Sequence, residues 1–114
     1  MARGKIVLVP FPFDDLSATK VRPAVCLTNP VGAYGHIVLA FITSRIPSRL
    51  LATDLVLDVG QPDFAKTGLK VASTLRLHRL MTVSSSMILR ELGELSPTTL
   101  AEVTDKLAIL FEMA

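Results

Sequence analysis

The sequence predicts a mainly β protein in which about five to seven short strands are followed by one C-terminal α-helix. Two observations support this prediction. Short apolar runs rich in Val, Ile and Leu recur between Pro, Gly and Asn, and a helical apolar stripe appears after residue 96. The chain has 114 residues, which is enough for one modest hydrophobic core. We therefore expect one domain that spans residues 1–114.

The composition excludes several classes of protein. Hydrophobic residues make up 50% of the chain and charged residues 19%, which argues against intrinsic disorder. Pro, Gly or a charged residue interrupts each apolar run before it reaches the length of a membrane span. The N-terminus does not resemble a signal peptide. These observations predict a cytoplasmic protein with no membrane association.

The single cysteine and the charge distribution bear on the chemistry. Cys26 has no partner for an internal disulfide, and inside an apolar strand it is expected to be a small buried residue rather than a catalytic thiol. No Cys/His spacing indicates zinc, and no cofactor is predicted. Residues 1–90 have a net charge of +6 and residues 91–114 one of −4. A basic body suits a polyanionic partner, although an ordinary solvated surface remains an alternative.

The first predicted strand spans residues 6–9 and ends at Pro10. Residues 10–21 are expected to form a loop, because two prolines and a pair of aspartates exclude regular structure there. Such a length is long for a connection between strands, and long loops tend to be functional. Phe11 and Phe13 in this loop either stack on nucleotide bases or cover the core.

Strands two and three are predicted at residues 22–28 and 36–44, as a hairpin whose polar ends meet. Arg22 opens the first of these strands, and Thr43 and Ser44 end the second. In an antiparallel pair these ends are neighbours, and a guanidinium beside two hydroxyl groups suits a phosphate. Two alternatives stay open: Arg22 pairs with an aspartate of the preceding loop, and the hydroxyls only make turn hydrogen bonds.

The middle of the chain is predicted to contain a basic loop, a strand and a second loop. In the basic loop, Arg45 and Arg49 either hold an RNA backbone or face solvent. Residues 53–59 alternate between polar and apolar, which is the pattern of a half-exposed strand. A turn and a loop at residues 64–71 follow, with Gly68 at a positive φ.

The next predicted strand, residues 73–79, carries unusual polar side chains. Alternation places Ser73, Leu75, Leu77 and Arg79 on one face, and Thr74, Arg76 and His78 on the other. An Arg and a His on the same face indicate either a solvated face or a polar site. Residues 80–83 are expected to form a short strand or a bend, and residues 90–95 the last strand.

The C-terminal helix has a recognisable start. Ser96 suits the N-cap, and Pro97 suits the first helical position. Leu100, Val103, Leu107 and Leu110/Phe111 form the apolar stripe. We expect this stripe to dock on the sheet or on a second subunit.

Four motifs, in this order, resemble those of the PemK/MazF-like mRNA interferases, the toxins of bacterial type II toxin–antitoxin pairs. The motifs are Gly4-Lys-Ile-Val-Leu-Val9, Arg22-Pro-Ala-Val, Ile42-Thr-Ser44 and Ser73-Thr-Leu-Arg-Leu-His78. The resemblance implies a small SH3-like β-barrel of the CcdB/PemK toxin type, with a C-terminal helix. It also implies a homodimer with an RNA groove across its interface. The implied partner is an antitoxin whose acidic, disordered tail covers that groove.

The resemblance further implies a sequence-specific, metal-independent endoribonuclease that cleaves single-stranded mRNA by 2′-hydroxyl attack. Such a reaction needs positive charge and groups that accept and donate a proton. Arg22 matches the family arginine before Pro-Ala, Thr43 the threonine that ends strand three, and Arg76 the arginine of the last motif. The expected catalytic residues are Arg22, Thr43, Arg76 and His78, and the expected RNA-binding residues are Phe13, Lys20, Ser44, Arg45 and Arg79.

His78 departs from the family pattern, because many members carry Asp or Glu two residues after that last arginine. Since histidine exchanges protons near neutral pH, it either takes over the acid/base role, changes the cleavage preference or lowers the activity. Two other functions stay open at this point. One is a CcdB-like gyrase poison with the same fold, and the other is a non-catalytic SH3-like binding module.

Overall fold

Six β-strands and one α-helix make up the part of the chain that the computed structural model describes, residues 2–11 and 20–113. The strands are β1 (Lys5–Phe11), β2 (Lys20–Cys26), β3 (His36–Thr43), β4 (Asp54–Leu57), β5 (Ser73–Ser84) and β6 (Arg90–Glu94), and the helix is α1 (Pro97–Leu110). The strands form one antiparallel sheet in the order β4-β5-β3-β2-β1-β6, curled into a half-barrel. The predicted mainly β fold with a C-terminal helix is confirmed.

Both faces of the sheet are apolar. The face that packs against α1 contains Ile6, Val25, Ala40, Ile42, Leu55, Leu57, Leu75 and Leu77, together with Phe64, Leu95 and Val103. The opposite face contains Val7, Val9, Ala24, Cys26, Ile37, Leu39, Phe41 and Val83. Because neighbouring residues of a strand point to opposite faces, burial on both faces requires continuous apolar runs. Such runs are residues 6–9 of β1, 23–26 of β2 and 37–42 of β3.

Cys26 is fully buried on the second of these faces, as expected. Burial raises the pKa of its thiol to about 11, with a smaller contribution from the charge of Glu91. The thiolate is the reactive form of cysteine. Cys26 is therefore a packing residue.

β1 continues past Pro10 and β2 begins at Lys20, so the predicted limits of the first loop are wrong at both ends. The carbonyl of Leu8 accepts a hydrogen bond from the Leu89 N–H on the β6 side. Pro10, two residues further on, faces that same side. In the described part of the chain, β6 pairs with β1 only as far as Leu8. The missing N–H of Pro10 therefore costs no ladder hydrogen bond.

β5 is one strand from Ser73 to Ser84, where the sequence predicts a strand followed by a short strand or bend. Its register against β3 changes abruptly: Leu75 pairs with Ile42, but Leu80 pairs with Ala40. Residues 76–79 of β5 thus lie opposite a single residue of β3. Such a bulge bends the strand and breaks the alternation of its side chains.

Local sequence signals determine the turn at Gly68 and the start of α1. Gly68 has a φ of 73°, as predicted, and follows a 3₁₀ helix (Phe64–Thr67) rather than an irregular loop. The Ser96 side chain accepts a hydrogen bond from the Thr99 N–H at 3.2 Å and caps α1. Phe111 follows the helix and is 55% exposed, so it does not continue the apolar stripe.

No helix among the described residues is long and apolar enough to cross a membrane.

Candidate active site

A cleft of ≈ 370 Å³ opens beside the start of β2, the end of β3 and the bulge of β5. Its lining residues are Arg22, Phe41, Ile42, Thr43, Ser44, Arg45, Arg76 and Arg79. Ala24 pairs with Phe41 in the antiparallel β2–β3 ladder. Counting two residues outward on each strand places Arg22 beside Thr43. The hairpin register therefore brings together the cation and the hydroxyls that the sequence placed at the two strand ends.

Four arginines give the cleft its chemical character. Arg22, Arg45 and Arg79 are exposed, whereas the side chain of Arg76 is only 24% exposed. Each guanidinium presents a planar fork of donors that matches the oxygens of a phosphate. Clustered positive charge in a concave surface also raises the local concentration of anions. The cleft is therefore suited to the phosphates of a nucleic acid.

The bulge of β5 explains why two of these arginines lie together. Simple alternation predicts that Arg76 and Arg79 point to opposite faces, and this prediction is wrong because both line the cleft. Residues 76–79 lie in the irregular part of the strand, where side-chain directions no longer alternate regularly.

Arg76 is held by a buried carboxylate that sequence reasoning missed. Asp54 on β4 pairs with Arg76 across the ladder, and its side chain is 0% exposed. Nε of Arg76 donates to Oδ1 at 3.1 Å, Nη2 donates to Oδ2 at 3.2 Å, and the Leu51 N–H donates to Oδ2 at 2.9 Å. The sequence predicts a half-exposed strand here, but in β4 the polar residue Asp54 is buried and ion-paired. Opposite charges at facing positions of two strands could have revealed the pair, had their register been known.

The environment of Asp54 shifts its ionisation. Burial raises the pKa of its carboxyl group, but the Leu51 N–H, the hydrogen bonds and charge of Arg76, and the charge of His78 outweigh burial. The net result is a pKa below the ordinary value of the side chain. Asp54 therefore remains a carboxylate at neutral pH, as the pairing with Arg76 requires.

This lowered pKa makes the stability of the protein depend on pH. The ion pair stabilises the fold above the unfolded-state pKa, and this contribution is lost as the pH falls through the lower folded-state value. We expect Asp54→Asn to decrease the free energy of unfolding by about 2–3 kcal/mol at neutral pH. The difference from the unsubstituted protein should shrink below about pH 4. Urea unfolding at pH 7 and at about pH 3 measures both values, and an equal difference at the two pH values would contradict the prediction.

Thr43 and Ser44 line the cleft where β3 ends. Thr43 is half-buried, and its Oγ1 accepts a hydrogen bond from the Arg45 N–H at 3.2 Å. The turn hydrogen bond considered as an alternative is thus present. It leaves the hydroxyl proton of Thr43 available for a second partner. It also fixes the turn that directs Arg45 into the cleft.

Three other residues that the sequence analysis singled out do not line the cleft. His78 is exposed on β5 and lies outside the lining of the cleft, close enough to Asp54 for its charge to lower the pKa of that group. Lys20 is exposed at the start of β2, and Arg49 is exposed in the loop after β3. Phe13 lies outside the described residues. Within residues 2–11 and 20–113, no group of three or more His, Cys, Asp or Glu side chains is placed to hold a metal ion.

Comparison with protein families gives a match over nearly the whole chain. The model of the PemK-like, MazF-like toxins of type II toxin–antitoxin systems matches residues 2–111. Comparison with curated proteins gives no significant match.

Solved structures with the same fold include proteins from mycobacteria and from Deinococcus radiodurans. A MazE–MazF complex from Deinococcus radiodurans superposes with a TM-score of 0.75 at 22% identity, covering 100% of this chain and 97% of the other. The toxin MazF-mt6 of Mycobacterium tuberculosis gives a TM-score of 0.72 at 21% identity, with 95% and 96% covered. A mycobacterial endoribonuclease in complex with its cognate antitoxin gives a TM-score of 0.70 at 19% identity, with 100% and 97% covered. At these identities the likeness establishes the fold.

Proposed function

Because the chain belongs to the PemK-like, MazF-like toxin family of type II toxin–antitoxin systems, we propose that it is a sequence-specific endoribonuclease of single-stranded mRNA. The observation that carries this proposal is the cleft lined by four arginines together with Thr43 and Ser44. A structural relative described as an endoribonuclease supports it. We further propose that residues 1–114 act as one domain in the cytoplasm, where mRNA is found.

The proposed reaction is attack of the 2′-hydroxyl of the RNA on its adjacent phosphorus. A new O–P bond forms while the bond to the 5′-oxygen of the next nucleotide breaks, leaving a 2′,3′-cyclic phosphate and a 5′-hydroxyl. Arg22 and Arg76 would stabilise the extra negative charge of the phosphorane-like transition state. Thr43 would donate a hydrogen bond to a phosphate oxygen. His78 is proposed to accept the proton of the attacking 2′-hydroxyl and then to donate it to the departing 5′-oxygen.

The neighbouring positive charges would hold the RNA backbone on either side of the cleaved bond. Lys20, Ser44, Arg45 and Arg79 are the proposed contacts, and Phe13 is proposed as a base-stacking residue. Binding through arginine and lysine should weaken steeply with salt, since each phosphate contact releases counterions.

We propose that the protein forms a homodimer and binds an antitoxin. The Deinococcus structure contains MazE with MazF, and a mycobacterial relative is bound to its cognate antitoxin. An acidic antitoxin segment would compete with RNA for the arginines of the cleft. This competition predicts that the antitoxin inhibits cleavage.

Incubation of the purified protein with a long, varied single-stranded RNA in EDTA tests the function. We expect cuts at one short sequence, with 2′,3′-cyclic phosphate and 5′-hydroxyl ends. For any substitution of an arginine in the cleft, Arg90→Ala is the matched control, because Arg90 is an exposed arginine on β6, outside the cleft lining. Cleavage that appears only after addition of Mg²⁺ would contradict the metal-independent mechanism. No cleavage under either condition would favour the gyrase-poison or binding-module alternative.

His78→Ala tests the proposed proton transfer. Loss of a general acid or base typically lowers a rate by about 100- to 10,000-fold. We expect a decrease of this kind together with loss of the pH dependence of cleavage near neutrality, measured as initial rates between about pH 5 and 9. His36→Ala is the control, since His36 is the other histidine of the chain and is exposed at the start of β3. An unchanged pH profile in His78→Ala would exclude His78 from proton transfer.

A further inference from the structure

We propose that the buried carboxylate of Asp54 positions Arg76, so that the guanidinium presents its remaining N–H groups to the scissile phosphate. This inference rests on the proposed function, because it assigns a supporting residue to the same cleft. Asp54 itself is not among the residues that line the described cleft. It would act on the reaction only through Arg76.

The geometry of the pair leaves the arginine able to bind a second anion. A guanidinium carries five N–H donors. Asp54 engages the side formed by Nε and Nη2, at 3.1 Å and 3.2 Å. Three N–H groups remain, and one N–H of Nη1 together with the second N–H of Nη2 forms the adjoining side of the fork. Arg76 can therefore bridge the carboxylate behind it and a phosphate in front of it.

Electrostatics explains why such an anchor is needed. Arg76 shares the cleft with Arg22, Arg45 and Arg79, and like charges repel one another. A long arginine side chain without an anchor would keep its rotamer freedom and would turn towards solvent. The carboxylate offsets both effects before RNA binds. Groups that are fixed in advance stabilise a transition state better than groups that must reorganise.

Asp54 also connects two borders of the cleft. Its Oδ2 accepts from the Leu51 N–H at the far end of the segment that begins with Ser44 and Arg45. The same oxygen accepts from Arg76 on β5. One buried carboxylate thus holds the loop after β3 and the bulged part of β5 in a fixed relation. Burying a charge is costly unless it is paired and hydrogen-bonded, and here the three hydrogen bonds to the carboxylate serve this connection.

A double-mutant cycle separates positioning from a scaffold role. RNA cleavage is measured for the unsubstituted protein, Asp54→Asn, Arg76→Ala and the double variant, each well below its melting temperature. We expect Asp54→Asn to lower kcat about 10- to 100-fold with KM changed less than about threefold. In the Arg76→Ala background the same substitution should change kcat less than about twofold. Asp58→Asn is the control, because Asp58 is an exposed aspartate just after β4.

Two kinetic results would overturn the inference. One is a kcat of Asp54→Asn within about threefold of the unsubstituted protein. The other is an equal decrease with and without Arg76, which would mean that Asp54 only supports the β4–β5 edge.

A second measurement does not depend on cleavage. In ¹⁵N NMR, the Nε–H of Arg76 should give a protected signal, assigned by its absence in Arg76→Lys. This signal should move when an all-deoxy oligonucleotide, which lacks the attacking 2′-hydroxyl, is added. It should broaden through exchange with water in Asp54→Asn. If the unsubstituted protein cleaves no RNA, the proposed function fails. The NMR signal then still decides the inference, and equal protection in Asp54→Asn overturns it.

Discussion

Replacing Arg22 by alanine is expected to lower the rate of RNA cleavage by about 100- to 1,000-fold, the effect of removing one strong donor to a developing negative charge. Arg22 lies in the polar first half of β2, beside the end of β3, and its side chain lines the cleft. Because the residue is exposed, truncation should open no core cavity. We therefore expect a change in the free energy of unfolding of no more than about 1 kcal/mol.

Initial cleavage rates in EDTA and urea unfolding curves measure the two effects separately. Arg22→Lys keeps the charge but loses the planar fork of donors, so we expect a rate between those of the unsubstituted protein and Arg22→Ala. Arg90→Ala removes an exposed arginine from the far strand of the sheet and should leave the rate within about twofold. A rate for Arg22→Ala above about one third of normal would remove Arg22 from the proposed site.

The elements that the sequence predicts well are those with local causes. Ser96 and Pro97 determine the start of α1 by capping, and Gly68 adopts the left-handed conformation that its turn requires. The hairpin of β2 and β3 also follows from local pattern, because each strand is an apolar run bounded by turn residues. Its register then brings Arg22 to Thr43.

Features that depend on a partner strand were not predictable in the same way. The strand β1 passes through Pro10 only because β6 no longer pairs with β1 at that position. The bulge in β5 depends on how β3 is paired, and it is the reason that Arg79 joins Arg76. In the sequence, Asp54 is one polar residue of an alternating strand. Its pairing with Arg76 becomes evident only when β4 is placed against β5. These three features each require knowledge of the sheet order.

A second large effect is expected from Gly93→Ala, this time on stability. Gly93 lies on β6, where the register against β1 shifts after Ile6 and leaves Leu92 without a partner on β1. A Cβ on Gly93 would overlap the backbone carbonyl of Lys66 and would stand 2.5 Å from the carbonyl carbon of Thr67. These are backbone atoms of one 3₁₀ helix, and they cannot move aside as a flexible side chain can. We expect the free energy of unfolding to fall by about 3–5 kcal/mol, at the upper end of single-residue effects.

Urea unfolding of three glycine variants separates steric overlap from backbone strain. Gly60→Ala is the matched control, because no described heavy atom lies within 4 Å of the added Cβ and Gly60 is not in the left-handed conformation. Its effect should stay within about 1 kcal/mol. Gly32 has the same open space but a φ of 77°, so Gly32→Ala should show the conformational cost alone, about 1 kcal/mol.

Gly93→Ala and Arg22→Ala should affect stability and cleavage independently of each other. β6, which contacts the 3₁₀ helix Phe64–Thr67, is the last strand in the sheet order. β4, which pairs with β5 and holds Arg76, is the first strand in that order. Gly93→Ala should therefore reduce the folded population, while the molecules that remain folded keep a normal cleavage rate. Arg22→Ala should have the reverse effect. A Gly93→Ala variant within about 1 kcal/mol of the unsubstituted protein would show that the helix and β6 separate at little cost, and the close approach at Gly93 would then contribute little to the fold.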